Sequence, residues 1–260
     1  MTDTHTHLYD EAFRADGETS ADAVRRAIGA GVERMILPGC TPADLPEMYR
    51  LREEFPENIF LAAGLHPTEL PEPAAVDAQL SEIENELRSN RGLYVGVGEI
   101  GMDLYWDNSR LEEQRRVFEA QCRLAAELDL PVIIHCREAL DDTLAVLASL
   151  PQLPRGVFHS FSGTPEDVAR IRSLGDFYFG INGIVTFKKS TLPATLPHIP
   201  SDRLLLETDS PYLAPVPRRG RRNESAYLPY TAARVAEALS LTPEAIDRLT
   251  TENANRLFNI

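Results

Sequence analysis

The sequence has little of what marks secreted, membrane-bound or disulfide-stabilised proteins. Its three cysteines, Cys40, Cys122 and Cys136, cannot complete a disulfide set, and their spacing matches no zinc cluster. Because they end apolar runs or lie in a helical pattern, we expect buried free thiols, which suit a reducing compartment. No apolar run approaches the roughly 18 residues of a membrane helix, and the N-terminus carries no secretory signal. We therefore expect a cytoplasmic protein with no membrane partner.

Positive charge is also scarce. The chain has 26 lysines and arginines against 40 aspartates and glutamates, so its formal net charge is −14. This balance excludes broad, non-specific nucleic-acid binding, which depends on basic surface. A small anionic substrate at a metal site is not excluded, because bound cations reverse the local field. We therefore expect any nucleic acid to be a substrate with a small footprint, and nothing in the sequence indicates a stable protein partner.

The 260 residues do contain a regular alternation of β-rich runs and longer helical patterns. Runs that are apolar throughout, such as residues 132–134 and 204–206, are typical of parallel strands covered on both faces. Eight strands alternating with helices over about 250 residues favour an α/β fold with a single (β/α)8 TIM barrel, formed by residues 1–260. An open sheet of six to eight strands is the alternative. The predicted strands are Thr2–Leu8, Arg34–Pro38, Phe60–Leu65, Tyr94–Gly98, Val132–His135, Gly156–His159, Phe177–Ile181 and Leu204–Glu207.

Helix start signals separate the predicted strands. Three threonine–proline pairs, beginning at Thr41, Thr164 and Thr242, place an N-cap residue before a proline at the first helical position. The spacing of Ser109 and Glu112 predicts a capping box. An apolar stripe at helical spacing follows that box, formed by Leu111, Phe118, Cys122, Ala125 and Leu128.

A histidine pair on the first predicted strand is the strongest local signal. His5 and His7 are two residues apart, so they project to the same face of the strand, with Asp3 below them. Two converging neutral imidazoles suit a transition metal such as zinc, iron or manganese. The alternative is a hydrogen-bonded pair of histidines at the mouth of the barrel.

Four further candidate ligands lie at the C-terminal ends of other predicted strands, where barrel active sites are built: Glu99, His135, His159 and Asp209. With the first pair they make six groups, which exceeds the four of a closed structural zinc site. Six groups suit two divalent metals that share a bridging carboxylate. We assign the bridge to Glu99, because its strand lies between the first strand and the strands that carry the other histidines.

Six short motifs occur in order between residue 3 and residue 213. They are Asp3-Thr4-His5-Thr6-His7-Leu8, Gly64-Leu65-His66-Pro67, Gly98-Glu99-Ile100-Gly101-Met102-Asp103, His135-Cys136-Arg137, His159-Ser160-Phe161-Ser162-Gly163 and Leu206-Glu207-Thr208-Asp209-Ser210-Pro211-Tyr212-Leu213. Through these motifs the chain resembles the TatD-type metal-dependent deoxyribonucleases, within the amidohydrolase-like barrels. The segment from Arg218 to Asn223 and the C-terminal helix that ends at Phe258 extend the resemblance across nearly the whole chain.

The resemblance implies a (β/α)8 barrel that hydrolyses phosphodiester bonds in DNA, often as a 3′→5′ exonuclease on single strands. It also implies that the metal ligands are His5, His7, Glu99, His135, His159 and Asp209. Magnesium or manganese is expected for activity, and a histidine-rich site also takes up zinc. The chain departs from the family pattern at Ser160, Met102 and Ser225. No ligand is lost, and the loop near Ser225 is expected to border the substrate.

Catalytic and substrate-binding roles follow from the same positions. Metal-activated water is expected to attack phosphorus, with Asp209 accepting its proton. Arg137 is a candidate bidentate donor to phosphate, or forms a surface ion pair. Arg218 is the first residue of an arginine cluster in the loop Tyr212–Pro229, which could bind the nucleic-acid backbone or remain solvated.

Two further groups have both a functional and a structural interpretation. His66 binds substrate or orients a ligand, or it packs against Pro67 in a turn. Asp103 is a candidate substrate contact that could also support a ligand, or it begins a loop or caps a helix. His198 is predicted to be structural, because it lies between two prolines.

Three functions are consistent with this sequence. The first is the phosphodiesterase. The second is an amidohydrolase-like enzyme that cleaves an amide or ester bond, for example an aminoacyl ester. Many such enzymes bridge their metals with a carboxylated lysine, but the only lysines here, Lys188 and Lys189, lie far from the fourth strand. The third is a non-catalytic metal-binding protein, which a full ligand set with a candidate base disfavours.

Overall fold

Eight parallel strands form one sheet in which each strand pairs with the next along the chain. The computed structural model describes residues 1–106 and 108–260, and of residue 16 only the backbone. The strands are β1 (Thr2–Asp3), β2 (Arg34–Gly39), β3 (Ile59–Ala63), β4 (Tyr94–Asp103), β5 (Val132–Arg137), β6 (Gly156–Phe158), β7 (Tyr178–Ile181) and β8 (Leu204–Leu206).

Hydrogen bonds between the first and last segments bring the two edges of the sheet together. The N–H of Thr4 donates to the carbonyl of Leu206 at 3.1 Å, and the N–H of Asp209 donates to the carbonyl of His5 at 2.9 Å. Thr6 and Ser210 form a parallel bridge. The architecture is therefore the TIM barrel predicted from the sequence, and not the open sheet.

Helices follow the strands and cover the outside of the barrel. They are α1 (Ser20–Gly29), α2 (Leu45–Glu54), α3 (Val76–Ser89), α4 (Leu111–Glu127), α5 (Leu140–Ser149), α6 (Pro165–Leu174), α7 (Leu192–Thr195), α8 (Leu228–Leu239) and α9 (Pro243–Phe258). Short 3-10 helices occupy Glu11–Gly17, Pro42–Asp44, Pro67–Glu69, Pro73–Ala75, Arg91–Leu93, Gly183–Thr186, Leu196–His198, Ser201–Arg203 and Ser225–Tyr227. Within the described residues, no helix is long and apolar enough to cross a membrane.

The predicted helix starts are confirmed at all three threonine–proline pairs. Thr164 and Thr242 cap α6 and α9 through their side chains. Thr41 is the N-cap residue of the short 3-10 helix Pro42–Asp44, and α2 begins after that helix.

The capping box predicted at Ser109 is wrong. Arg110 is the N-cap residue of α4, and it makes no side-chain cap hydrogen bond. The predicted partner in that box, Glu112, pairs with Arg115 instead, at 2.7 Å. In the stripe that follows, Phe118, Cys122 and Ala125 are buried, whereas Leu111 and Leu128 are only partly buried.

The ends of the strands differ most from the prediction where the site lies. β1 is only two residues long, so His5 and His7 follow the strand instead of lying on it. β4 extends to Asp103 and continues to pair with β5 as far as Arg137, with an irregular register between Val97 and Ile100. Glu99 therefore lies inside a strand and not after one.

The cysteines are free, as expected, but they are not equally buried. Cys122 is buried on α4, whereas Cys40 and Cys136 are partly exposed at the ends of β2 and β5. The prediction of buried thiols is therefore correct for one of the three.

Candidate metal centre

The carboxylate of Glu99 lies at the centre of a buried cluster at the C-terminal end of the barrel. Its Oε2 is 3.1 Å from His5 Nε2 and 3.6 Å from His7 Nε2. Its Oε1 is 2.8 Å from His159 Nε2 and 3.0 Å from His135 Nδ1. The two oxygens of one carboxylate thus face two different pairs of histidines.

Asp209 completes the side of the cluster that Oε2 of Glu99 faces. Its Oδ1 is 3.4 Å from His7 Nε2 and 3.7 Å from His5 Nε2. The residue has a positive φ of 56°, just beyond the end of β8, and its N–H bonds back to the His5 carbonyl. This backbone turn directs the carboxylate of Asp209 toward His5 and His7. His5 is 94 residues from Glu99 in the sequence.

The donor atoms of the cluster suit a bound divalent cation. Three groupings bring one ligand atom from each residue within 4.8 Å of one another: His5, His159 and Asp209; His5, His7 and Glu99; and His66, Glu99 and His135. The Nε2 atoms of His5 and His7 lie 3.1 Å apart, next to a carboxylate. Two imidazole nitrogens this close need a proton or a cation between them, because their lone pairs repel. Imidazole and carboxylate together are ligands for zinc, manganese and iron.

The electrostatics of the cluster are dominated by burial and by Glu99. Burial would raise the pKa of Glu99, but the charges of the surrounding histidines, His159 first, hold it well below its usual range. Burial lowers the pKa of His5. Burial also disfavours the charged form of His159, yet Glu99 brings its pKa well above the usual value. The site therefore favours ionised carboxylates with positive charge close to them. Ionised carboxylates at the centre of the cluster are what a bound metal cation requires.

Of the four residues predicted to contact substrate, His66 joins the cluster directly. It is buried, with its Nε2 3.2 Å from Glu99 Oε1, and its Nδ1 lies 2.8 Å from the hydroxyl of Thr68. His66 therefore contacts Glu99 and Thr68 and does not simply pack against Pro67.

Asp103 has both of the roles that its position suggested. Its Oδ2 is 2.8 Å from His135 Nε2, while its Oδ1 accepts the N–H groups of Tyr105 at 3.0 Å and Trp106 at 2.9 Å. It therefore orients a histidine of the cluster and also fixes the turn that follows β4.

The two arginines lie outside the cluster. The guanidinium of Arg137 lies 3.8 Å above the ring of Tyr105, so the surface ion pair considered for it is not formed within the described residues. Arg218 donates to the hydroxyl of Tyr230 at 3.0 Å, in the loop before α8. In the same arginine cluster, Arg222 donates to Glu18 at 2.6 Å, so the alternative of a purely solvated run does not hold for this residue.

Two departures from the family pattern have different surroundings. Ser225 is fully buried, and its hydroxyl donates to Thr6 Oγ1 at 3.2 Å; that the loop near it borders the substrate stays a prediction. Ser160 follows His159 directly, and its hydroxyl accepts from the side-chain amide of Asn182 at 2.7 Å. His198, predicted to be structural, is exposed in the short helix Leu196–His198 and is not part of the metal groupings.

The sequence did not single out several residues that support the cluster. The fully buried Glu207 accepts the N–H of Ser160 at 2.5 Å, and its Oε1 lies 3.5 Å from His159 Nδ1. The hydroxyl of Tyr9 lies 2.7 Å from His7 Nδ1. Buried carboxylates and hydroxyls behind a histidine fix the orientation of its ring. A signal was present for Glu207, since a charged residue that directly follows an apolar strand is rarely buried without a partner.

Gln114 on α4 supports the cluster from a greater distance. Its side chain accepts the N–H of Asp103 at 2.8 Å and donates to the carbonyl of Asp103 at 3.0 Å. Gln121, two turns later, forms the same pair of bonds with the backbone of Leu65, next to His66. Both glutamines lie on the buried face of α4, where an apolar pattern alone would not identify them.

Comparisons with known proteins show the family of the chain. Residues 2–259 match the family model described as TatD related DNase. An uncharacterized metal-dependent hydrolase of Bacillus subtilis, YabD, is 38% identical, over 100% of this chain and 99% of the relative. A protein of Edwardsiella piscicida named 3′-5′ ssDNA/RNA exonuclease TatD is 37% identical, over 100% of both chains. The crystal structure of YjjV, a TatD homolog from Escherichia coli, aligns with a TM-score of 0.89 at 29% identity, covering 100% of this chain and 98% of that one. Because the family model matches residues 2–259 and these relatives align over almost their whole length, the chain belongs to the TatD-related DNase family of metal-dependent hydrolases.

Proposed function

We propose that this protein is a metal-dependent phosphodiesterase that removes nucleotides from the 3′ ends of single-stranded nucleic acid. The observation that supports this proposal most strongly is the position of Glu99, whose two oxygens face two separate pairs of histidines. A carboxylate placed in this way is suited to bridge two cations, as in enzymes that hydrolyse phosphate esters. The exonuclease name of relatives such as that of Edwardsiella piscicida supports the choice of substrate.

In this proposal the five predicted ligands other than Glu99 divide between its two oxygens. His5, His7 and Asp209 would hold one cation near Oε2, and His135 and His159 would hold the other near Oε1. Magnesium or manganese is proposed for activity, and zinc as a second occupant. When bound, such cations acidify water and offset the negative charge that develops on a phosphate under attack.

The protein's own groups then move and hold the reacting parts. Asp209 is proposed to accept the proton of the attacking water, because its carboxylate lies at the edge of the cluster and is the more exposed of the two, 13% against 4% for Glu99. Asp103 keeps the ring of His135 in place, and Gln114 keeps Asp103 in place. His66 is proposed to contact the substrate or to orient Glu99. Arg218, 3.0 Å from the hydroxyl of Tyr230, is the weaker candidate for a contact with the nucleic-acid backbone.

The second candidate function is cleavage of an amide or ester bond, such as an aminoacyl ester. Lys188 and Lys189 are exposed in the segment after β7, so neither is placed to become a bridging carboxylated lysine. Glu99 occupies the bridging position instead. This arrangement favours phosphodiester chemistry.

The whole chain, residues 1–260, is proposed to act as one domain, without a stable protein partner. Every residue of the cluster lies in a strand of the one eight-stranded sheet or in the segment that follows a strand. We propose the cytoplasm as its compartment, since the three cysteines are free.

Metal restoration tests the proposal. Metal-stripped protein is restored with magnesium, manganese or zinc and offered 3′-labelled single-stranded DNA, RNA, an aryl phosphodiester, and a panel of amides and aminoacyl esters. We expect metal-dependent release of nucleotides from the 3′ end. Hydrolysis of amides or esters alone, with every phosphodiester intact, contradicts the nuclease and supports the second candidate.

The Asp209→Asn variant tests the assigned base, with His198→Ala as the control at an exposed histidine. Loss of a positioned base lowers turnover by about 10²- to 10⁴-fold. We therefore expect a fall of at least about 10²-fold for Asp209→Asn, and none for the control. Near-normal turnover of Asp209→Asn shows that its carboxylate is not the base.

A further inference from the structure

Large aromatic side chains are exposed in the loops that follow strands of the barrel. In the described part of the chain, Tyr105 is 50% exposed, Trp106 is 68% exposed and Tyr212 is 55% exposed. The first two follow β4 and the third follows β8, so they lie on the same end of the barrel as Glu99. Exposed aromatic rings grouped at one end of a protein indicate a surface that binds something.

Tyr105 and Trp106 form one structure with Arg137. Their ring centroids are 5.0 Å apart and their planes are nearly perpendicular, at 84°. The guanidinium of Arg137 lies 3.8 Å from the Tyr105 ring and 5.4 Å from the Trp106 ring. It makes no ion pair or hydrogen bond with any described side chain. We call these three residues the aromatic platform.

A single carboxylate ties the aromatic platform to the candidate metal centre. Oδ1 of Asp103 accepts the backbone N–H groups of Tyr105 and Trp106, while its Oδ2 lies 2.8 Å from His135 Nε2. Arg137 is two residues beyond His135 on β5. The platform therefore has a fixed position beside the histidines, although its rings face solvent.

We propose that the aromatic platform stacks against an unpaired nucleobase of the strand whose phosphate reaches the metal centre. This inference rests on the proposed function, and it specifies how single strands are selected. Every nucleobase has a flat face that can stack on an aromatic ring, so such binding tolerates any base sequence. In a duplex both faces of every internal base are covered by neighbouring bases and are not available to a protein ring; only the outer face of a terminal base is open.

Charge favours a nucleic acid over an apolar partner at this place. The chain carries a formal charge of −14, yet the platform presents a guanidinium, stacked 3.8 Å from the Tyr105 ring, that has no ion pair with another described side chain. A guanidinium stacked on a ring can still donate from its edge to a phosphate. One stacked base and one neighbouring phosphate also match the small footprint that an acidic protein can offer.

Tryptophan fluorescence tests binding without depending on hydrolysis, because Trp106 is the only tryptophan in the chain. The protein is titrated with phosphorothioate-linked oligothymidylate and with an abasic strand of the same length and linkage. Stacking by a base is expected to quench the emission, and the abasic strand is expected to leave it unchanged. No quenching by the oligothymidylate, or equal quenching by both strands, overturns the inference.

Activity provides the second readout, with Trp106→Ala, Trp106→Phe and the control Leu241→Ala. Leu241 is also exposed, at 46%, but lies between α8 and α9 at the other end of the barrel. Loss of one base–aromatic stack is expected to lower kcat/KM on single-stranded DNA roughly tenfold. Trp106→Phe is expected to keep most of the activity, and Leu241→Ala all of it.

Abasic substitution at each of the last four positions of the substrate shows whether the base is responsible. For the wild type, one such position is expected to lower kcat/KM roughly tenfold, and for Trp106→Ala the same substitution is expected to have no further effect. Equal losses in both proteins overturn the inference. If no phosphodiester is cleaved, but the oligothymidylate quenches the Trp106 emission and the abasic strand does not, the proposed function is wrong. The proposal that the aromatic platform stacks on a base is then still supported.

Discussion

The two ends of the barrel are built from the same strands but have opposite chemistry. At the C-terminal end, β5 supplies His135 to a buried cluster of histidines and carboxylates. At the N-terminal end, the same strand supplies Ile133 to an apolar cluster that α9 closes with Leu257 and Phe258. Asn253 of α9 donates to the carbonyls of Ser201 and Leu204, which places this helix against the start of β8. We call this apolar end the floor and the other end the mouth.

The difference indicates that residues near the start of a strand mainly stabilise this protein, whereas residues near its end form the candidate site. Residues of the floor lose contact with water and gain close packing, which stabilises the fold. At the mouth, polar groups are buried next to one another, which costs free energy unless each group finds a partner or a cation. A change at the mouth should therefore affect activity most, and a change at the floor should affect stability most.

The largest effect is expected from Glu99→Gln at the mouth. The neutral amide cannot bridge two cations and does not supply the negative charge that the histidines surround. We expect kcat/KM on single-stranded DNA to fall by about 10³-fold or more, the scale of losing a group that stabilises a transition state. Metal content, measured by elemental analysis, should fall together with activity. Retention of both metal and turnover contradicts the central position of Glu99.

A smaller effect, on stability and not on chemistry, is expected from Leu257→Ala at the floor. Leu257 is 2% exposed within the apolar cluster, so its truncation leaves a cavity. We expect the free energy of unfolding, measured in urea, to fall by about 2–5 kcal/mol. Activity per folded molecule should not change. A loss of kcat/KM while the protein remains folded shows that the two ends of the barrel are coupled.

The smallest effect is expected from Thr164→Ala, near the mouth but on the outside. Thr164 caps α6: its hydroxyl oxygen accepts the N–H of Asp167 at 3.2 Å, and the carboxylate of Asp167 accepts the N–H of Thr164 at 2.8 Å. We expect a loss of about 1 kcal/mol in unfolding free energy and normal turnover. Thr164→Ser, which keeps the cap, serves as the control. A larger effect on activity than on stability shows that the start of α6 shapes the site.

Much of this comparison could be predicted from sequence because the signals are local. Alternating apolar runs and helix caps predict the barrel, and polar residues at the ends of those runs predict the mouth. His5 and His7 are close together because they are two residues apart, which any extended chain achieves. The predictions fail where a local signal competes with a tertiary one. β4 runs past Glu99 because β5 continues to pair with it as far as Arg137.

The sequence by itself determines the order of the elements, the α/β class and the kinds of side chain that each strand end can present. These properties depend on periodicity and caps, which act over a few residues. Only the tertiary structure decides that one oxygen of Glu99 faces His5 and the other faces His159, that Glu207 supports His159 from behind, and that Arg137 stacks on Tyr105. Those contacts arise when the sheet closes, because closure brings the ends of distant strands within a few ångströms of one another.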